Sequence, residues 1–195
     1  MAATRGNRGG RGLRTAFAAV LVLATAACAT EPAPGGGRPG EAPALSTPTR
    51  VSGDGSIPEN ESISLNDTGH AAIANLDPTL LAAVRDAAAD ARVRGVELKV
   101  TSGWRSKAYQ QRLLDEAIVR YGSEREALRW VLPPEKSKHV TGEAIDIGPT
   151  NAADWLIQHG ADYGLCQAYA NEMWHFELLT TRGGQCPQPI SNGTG

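Results

Sequence analysis

Several things are scarce in this sequence. Among 195 residues there are only three cysteines and four histidines, and bases do not outnumber acids, with 19 Lys and Arg against 21 Asp and Glu. Without a basic excess there is no electrostatic footprint for nucleic acid, and none is expected as a partner. The apolar stretch from Thr15 to Ala27 falls short of the about 20 residues that a membrane-spanning helix needs. No internal repeat is visible, which sets aside solenoids and arrays. From Ala29 to about Gly55 large apolar residues are almost missing, and Pro, Gly, Ala, Ser and Thr take their place. Such a stretch cannot bury enough surface to offset its ordering entropy. The length suits one ordinary domain with tails.

What is present begins with Arg5, Arg8, Arg11 and Arg14, with no acid among them, followed by the short apolar run. A basic head, a greasy centre and small residues at its end make residues 1–28 a secretory signal. The stretch Leu23 to Ala27 followed by Cys28 resembles a bacterial lipoprotein signal, with Thr25 where such signals usually carry Leu. That resemblance implies a lipid on Cys28. The exported chain would then sit on the cell membrane facing the wall, held by acyl groups; cleavage without lipid would leave it secreted. Residues 29–56 read as a disordered tether, 57–187 as the folded domain and 188–195 as a frayed tail. Once the four arginines are removed, 15 bases face 21 acids, a net of −6. With Cys28 lipidated, Cys166 and Cys186 remain as an even pair. An oxidising compartment favours a disulfide between them, tying the C-terminal region back near Leu165.

Ordered structure is expected to begin between Ile57 and Ile73. Asp77-Pro78 opens a helix that ends near Arg94-Gly95, with Leu80, Leu81, Val84 and Ala88 on one face. Val96 to Thr101 alternates like a half-buried strand. Ser106 caps a helix to about Tyr121, with Tyr109, Leu113, Ala117 and Val119 or Arg120 toward its inner edge. Ser123-Glu-Arg-Glu126 is a capping box for a helix through Leu132, stopped by Pro133-Pro134. A loop over 135–142 leads to a strand from Glu143 to Ile147. A helix over Asn151 to His159 and extended runs at 165–169 and 173–179 complete a small α+β domain.

The chemistry concentrates in His139-Val-Thr-Gly-Glu-Ala-Ile-Asp146 and Glu172-Met-Trp-His175. Two imidazoles and a carboxylate suit a Zn²⁺ ion whose fourth position stays open for water. Glu172 stands where it can take a proton from that water. In Trp174-His-Phe-Glu177 the alternation puts His175 and Glu177 on one face. Glu143 and Glu177 are read as solvated charges, with Glu177 a substitute base. His70 and His159 lack partners at useful spacing and read as surface or helix-end residues. Trp104, Trp130 and Trp155 read as core or cleft wall, and Trp174 as a shelter for the metal.

Together, Ser102-Gly-Trp-Arg-Ser106, Ser137-Lys-His-Val-Thr-Gly-Glu-Ala-Ile-Asp146 and Glu172-Met-Trp-His-Phe176 resemble the zinc D,D-carboxypeptidases of vancomycin-resistance type. That family includes D-Ala-D-Ala dipeptidases and shares its fold with lysostaphin-type endopeptidases and the hedgehog signalling domain. The resemblance spans about Leu76 to Leu179 and implies a small antiparallel sheet with flanking helices. It implies that His139, Asp146 and His175 hold one zinc ion, that Glu172 is the general base and later acid, and that Arg105 steadies the oxyanion. Ser137 would help bind substrate, and Tyr163-Gly164 would be structural. Met173 stands where relatives often carry Pro, and Lys138 adds a cation beside a ligand. The implied reaction is metal-activated water attack releasing terminal D-alanine from peptidoglycan stem peptides, by a monomer. An L,D-carboxypeptidase, a cell-wall endopeptidase and a non-catalytic peptidoglycan-binding lipoprotein remain alternatives on the same fold.

Overall fold

The computed structural model describes residues 53–193. The predicted signal, Cys28 and tether residues 29–52 lie outside that range. The domain is placed from Gly53, earlier than expected: Gly55 is buried, and the Asp54 carbonyl accepts from the Ser106 amide at 2.9 Å.

A single helical turn, α1 (Ala71–Ala74), is capped by His70, whose Nδ1 accepts from the Ala72 amide at 3.1 Å. His70 is therefore a helix-end residue, and a buried one. The helix α2 (Pro78–Val93) starts as its sequence demands, with Asp77 Oδ1 accepting from the amides of Thr79 and Leu80 at 2.8 and 3.0 Å. It buries Leu80, Ala83, Val84, Ala87 and Ala91. Strand β1 (Lys99–Ser102) follows, shorter and later than the alternation suggested.

Ser106 caps α3 (Lys107–Tyr121), and Gly122 closes it in the left-handed region. The buried face is Gln110, Leu114 and Ala117, while Val119 is 84% exposed. The expected face was thus rotated from the real one. The reason is Gln110, a polar residue made compatible with burial by donating Nε2 to the Leu132 carbonyl at 2.7 Å. Leu114 and Ala117 pack with Ala127, Leu128 and Val131 in a small separate cluster. Ser123 caps the next turn, its Oγ accepting from the Glu126 amide at 3.3 Å, while the Glu126 carboxylate pairs with Arg129; α4 is one turn, Glu124–Ala127, and does not reach Leu132. The expected loop over 135–142 contains a further turn, α5 (Lys138–Thr141), which ends on Gly142 at φ 77°.

Strand β2 (Ala144–Gly148), α6 (Thr150–His159), a 3-10 turn (Gly160–Tyr163), β3 (Leu165–Gln167) and β4 (His175–Leu178) complete the domain. The four strands form one antiparallel sheet in the order β1-β2-β4-β3. Val100, Ile145, Ile147, Leu165 and Phe176 join the α2 and α6 side chains in the main core. Strand alternation then sends Asp146, His175 and Glu177 to the opposite side. The register sets Asp146 directly across from His175.

Cys166 and Cys186 form the disulfide. The segment beyond it does not fray where described: the Ile190 amide donates to Ala168 O at 3.0 Å, and the Ala170 amide donates to Ile190 O at 2.7 Å. These two backbone hydrogen bonds hold the stretch at an isolated bridge, while the Ile190 side chain stays exposed.

Candidate metal centre

Three elements bring the three predicted ligands together. His139 comes from α5, Asp146 from β2 and His175 from β4, and all three are buried. His175 Nδ1 lies 3.1 Å from Asp146 Oδ1 and 3.2 Å from His139 Nε2, and His139 Nε2 lies 3.3 Å from Asp146 Oδ1. Bonds of the usual length to a tetrahedral ion place ligand atoms about 3.3–3.5 Å apart, so this triangle fits one small cation with little adjustment.

The outer faces of both rings are engaged, which fixes what the inner faces present. His139 Nδ1 donates to the Gly103 carbonyl at 2.8 Å, leaving Nε2 with its lone pair inward. His175 Nε2 donates to Glu177 Oε1 at 2.9 Å, turning Nδ1 inward. Gly103 is required for the first bond: a Cβ there would run into the Ala72 carbonyl. The Ser102–Ser106 segment is stitched to α5 by Arg105 N to His139 O at 3.1 Å and by Trp104 Nε1 to Val140 O at 3.1 Å.

Glu177 corrects an expectation. It is not a solvated charge but a buried carboxylate, 7% exposed, hydrogen-bonded to the imidazole two residues earlier. The alternation showed that it shares a face with His175; its bond to the ring could have been inferred from that. Glu143 is the solvated acid, paired with Lys138 Nζ at 2.7 Å.

Arg105 is held by three acceptors. Nε donates to Ser102 Oγ at 2.8 Å, Nη1 to Gln110 Oε1 at 3.1 Å and Nη2 to Asp146 Oδ2 at 3.0 Å. An arginine has five N–H donors, so two remain for a ligand. Asp146 thus takes part in two interactions at once, an ion pair with Arg105 through Oδ2 and the triangle through Oδ1. Ser102 and Gln110 escaped the sequence reading because nothing in their spacing ties them to Arg105.

Glu172, in the turn before β4, puts Oε2 3.8 Å from His175 Nδ1. Ser137 is buried at the start of α5 without its side chain capping that turn. Both line a cleft of about 370 Å³ with Arg105, His139, Asp146 and His175. Trp130 and Trp174, each 41% exposed, are on its walls, whereas Trp155 is buried as core. Tyr169 lays its ring 5.0 Å from that of His175.

Burial and neighbouring charge divide the protons unequally. Burial, helped by the Arg105 cation, lowers His139 to about 4. Burial also opposes a charge on His175, but hydrogen bonds to Asp146 and Glu177 outweigh it and raise the ring to about 9. Asp146 is held well below the usual carboxylate range, because the facing imidazoles outweigh its burial. Burial, with Asp146 and Glu177 nearby, raises Glu172 to about 7.

Two inward lone pairs and a carboxylate oxygen in van der Waals contact repel one another unless a cation or proton lies between them. An open antiparallel sheet carries this pocket, with an acid and an arginine beside it, the kinds of group that metal-assisted hydrolysis uses. Residues 74–180, more than half the chain and including all three residues of the triangle, match the VanY family, described as D-alanyl-D-alanine carboxypeptidase. The chain belongs to that family. A D-alanyl-D-alanine carboxypeptidase of Enterococcus faecalis is 28% identical over 114 residues, which cover 46% of this chain and 42% of the relative. The chain thus spans less than half the length of that relative. The fold matches a vancomycin-resistance D,D-pentapeptidase, a VanY variant solved with Zn(II), at TM-score 0.50 and 25% identity over 56% of this chain and 73% of the other. It also matches VanYB solved with D-alanine-D-alanine, at TM-score 0.52 and 24% identity over 63% and 80% of the two chains.

Proposed function

We propose that this chain is a zinc-dependent carboxypeptidase that removes the terminal D-alanine from peptidoglycan stem peptides. The observation that carries the reading is the triangle of His139 Nε2, Asp146 Oδ1 and His175 Nδ1, with Glu172 and Arg105 beside it. His139, Asp146 and His175 would hold the ion. Bound there, zinc supplies a Lewis acid that polarises a carbonyl and acidifies water.

The remaining steps belong to the chain's own residues. Glu172, beside His175, takes the proton of the attacking water and returns it to the departing amine. The two unengaged N–H groups of Arg105 meet the oxygen that gains charge. Their donor is already fixed by Ser102, Gln110 and Asp146, so little reorganisation is needed during reaction. The Ser137 hydroxyl binds the substrate. The exported placement implied by residues 1–28, with a lipid on Cys28 and a tether behind it, sets the domain facing cell-wall peptide.

The test is release of D-alanine from a stem pentapeptide by the zinc-loaded chain, compared with Glu172→Ala. Loss of the base is expected to lower kcat by about 10²–10⁴-fold with zinc still bound. A mutant that retains the full rate removes Glu172 from this role. Mass spectrometry of the products separates a D,D-specific reaction from L,D- or internal cleavage.

A further inference from the structure

The match to the family ends at Thr180, yet the chain beyond it returns to the cleft. Cys186 is bonded to Cys166 on β3, which fixes where the returning segment starts. Pro187 and Pro189 limit its backbone freedom. Ile190 then bridges Tyr169 in parallel, through the two backbone hydrogen bonds to Ala168 and Ala170. Three residues later Gly193 lies against the other wall, so close that a Cβ on it would meet the Leu132 side chain and the Leu128 carbonyl. Gly193 lines the same cleft as the metal ligands. A second tie runs alongside, Asn171 Nδ2 donating to the Arg129 carbonyl at 3.0 Å. The segment therefore crosses from the sheet wall, where the Tyr169 ring contacts His175, to the wall formed by the turn that follows α4.

We propose that residues 188–193 form a strap that shuts one end of the cleft, so that a peptide terminus and not an internal stretch reaches Glu172. This rests on the carboxypeptidase reading above. A stem peptide stays joined to the glycan through its N-terminal side, so that side of the cleft has to remain open to a long chain. The closed end is then the one facing the departing residue. Residues added beyond the scissile bond would have to pass the strap, where Gly193 lines the cleft and Ile190 is held by its bridge to Tyr169. Specificity here arises by exclusion of the longer ligand and not by added attraction for the shorter one.

The experiment compares two peptides, one ending in free D-Ala-D-Ala and one carrying two further residues on that carboxyl end. The zinc-loaded full chain is set against a deletion of residues 188–195 and against Ile190→Pro. The deletion retains Cys186 and the disulfide; the substitution removes the amide donor to Ala168 and puts a smaller, ring-closed side chain in place of the isoleucine. Zinc stoichiometry and circular dichroism identify which variants are folded. The intact chain is expected to cut the free-ended peptide alone. The ratio of kcat/KM for extended over free-ended peptide is expected to rise by about tenfold or more in either folded variant. An unchanged ratio in both variants overturns the strap, as does equal cutting of the two peptides by the intact chain. If the intact chain releases nothing from either peptide, the carboxypeptidase reading itself fails and the strap falls with it, a result distinct from the other two.

Discussion

Glu177 Oε1 accepts from His175 Nε2 at 2.9 Å, and this bond aims the opposite ring nitrogen at Asp146 and His139. A carboxylate on the far side of a ligating imidazole fixes its tautomer and makes the free nitrogen more basic. Glu177→Ala should therefore weaken zinc binding by about 10–100-fold without touching the ion. Glu177→Gln keeps an acceptor oxygen and should recover part of the loss. Competition with a chromogenic chelator measures both. Equal affinity in all three proteins would mean the ring is positioned by packing alone.

Zinc uptake near neutral pH should release about one proton, and His175 should be its source. His139, lowered to about 4, is already neutral at pH 7, and Asp146 is already ionised. His175 stays protonated up to about 9 in the metal-free protein and has to lose that proton before Nδ1 can ligate. Apparent affinity should therefore fall as pH drops below about 9, by about tenfold per pH unit. Calorimetry at pH 7.5 in two buffers with different ionisation heats counts the protons directly. A count near zero would show that the metal-free ring is neutral and that the hydrogen bonds to Asp146 and Glu177 do not outweigh its burial.

The parts of this molecule that read directly from sequence are those with local signals. Asp77-Pro78 and Ser106 start the two long helices because a side-chain oxygen meets free amides, an interaction complete within a few residues. Asp146 and His175 stand in two runs that the sequence marks as extended, and the register sets them directly opposite each other. Features assembled from distant positions were hidden. The turn α5 is too short for any periodicity to mark it. Gln110 takes a core position on α3 because the Leu132 carbonyl and Arg105 satisfy its amide, and neither partner is visible from the helix's own pattern. Ile190 looks like part of a frayed tail until its backbone partners at Ala168 and Ala170 are known. The charge of Glu177 argued for solvent, and only the imidazole beside it accounts for its burial.

Away from the site, the Tyr163 hydroxyl donates to Asp90 Oδ2 at 2.5 Å. Burial, and then that hydrogen bond, push the phenol up to about 12. Because the folded value lies above the unfolded one of about 10, its contribution is fully present below pH 10. It is lost as pH rises toward 12, since only the unfolded chain ionises first. Tyr163→Phe should lower stability by about 1 kcal/mol at neutral pH. The gap between the two proteins in urea titrations should close as pH climbs above 10. A gap that stays constant to pH 11 would show that the bond to Asp90 does not hold the proton on the folded phenol.

Gly142 lies between two of the proposed ligands and has a backbone that only glycine adopts easily, φ 77°. It also sits against backbone, so that a Cβ would strike the Asn75 carbonyl and crowd Asp77 N. Gly142→Ala therefore incurs strain and a collision that no side-chain rotation relieves. A loss of about 2 kcal/mol or more is expected. The displacement would pass along the chain in both directions, to His139 on α5 and to Asp146 on β2, so zinc affinity should fall with the melting temperature. Gly122→Ala separates the two effects. Gly122 has nearly the same φ, 76°, at the end of α3, but nothing stands within 4 Å of its missing Cβ. That variant should lose about 1 kcal/mol from strain alone and bind zinc as the parent does. If Gly142→Ala also kept full zinc affinity while losing stability, the turn at Gly142 would serve the fold without setting the geometry of the metal ligands.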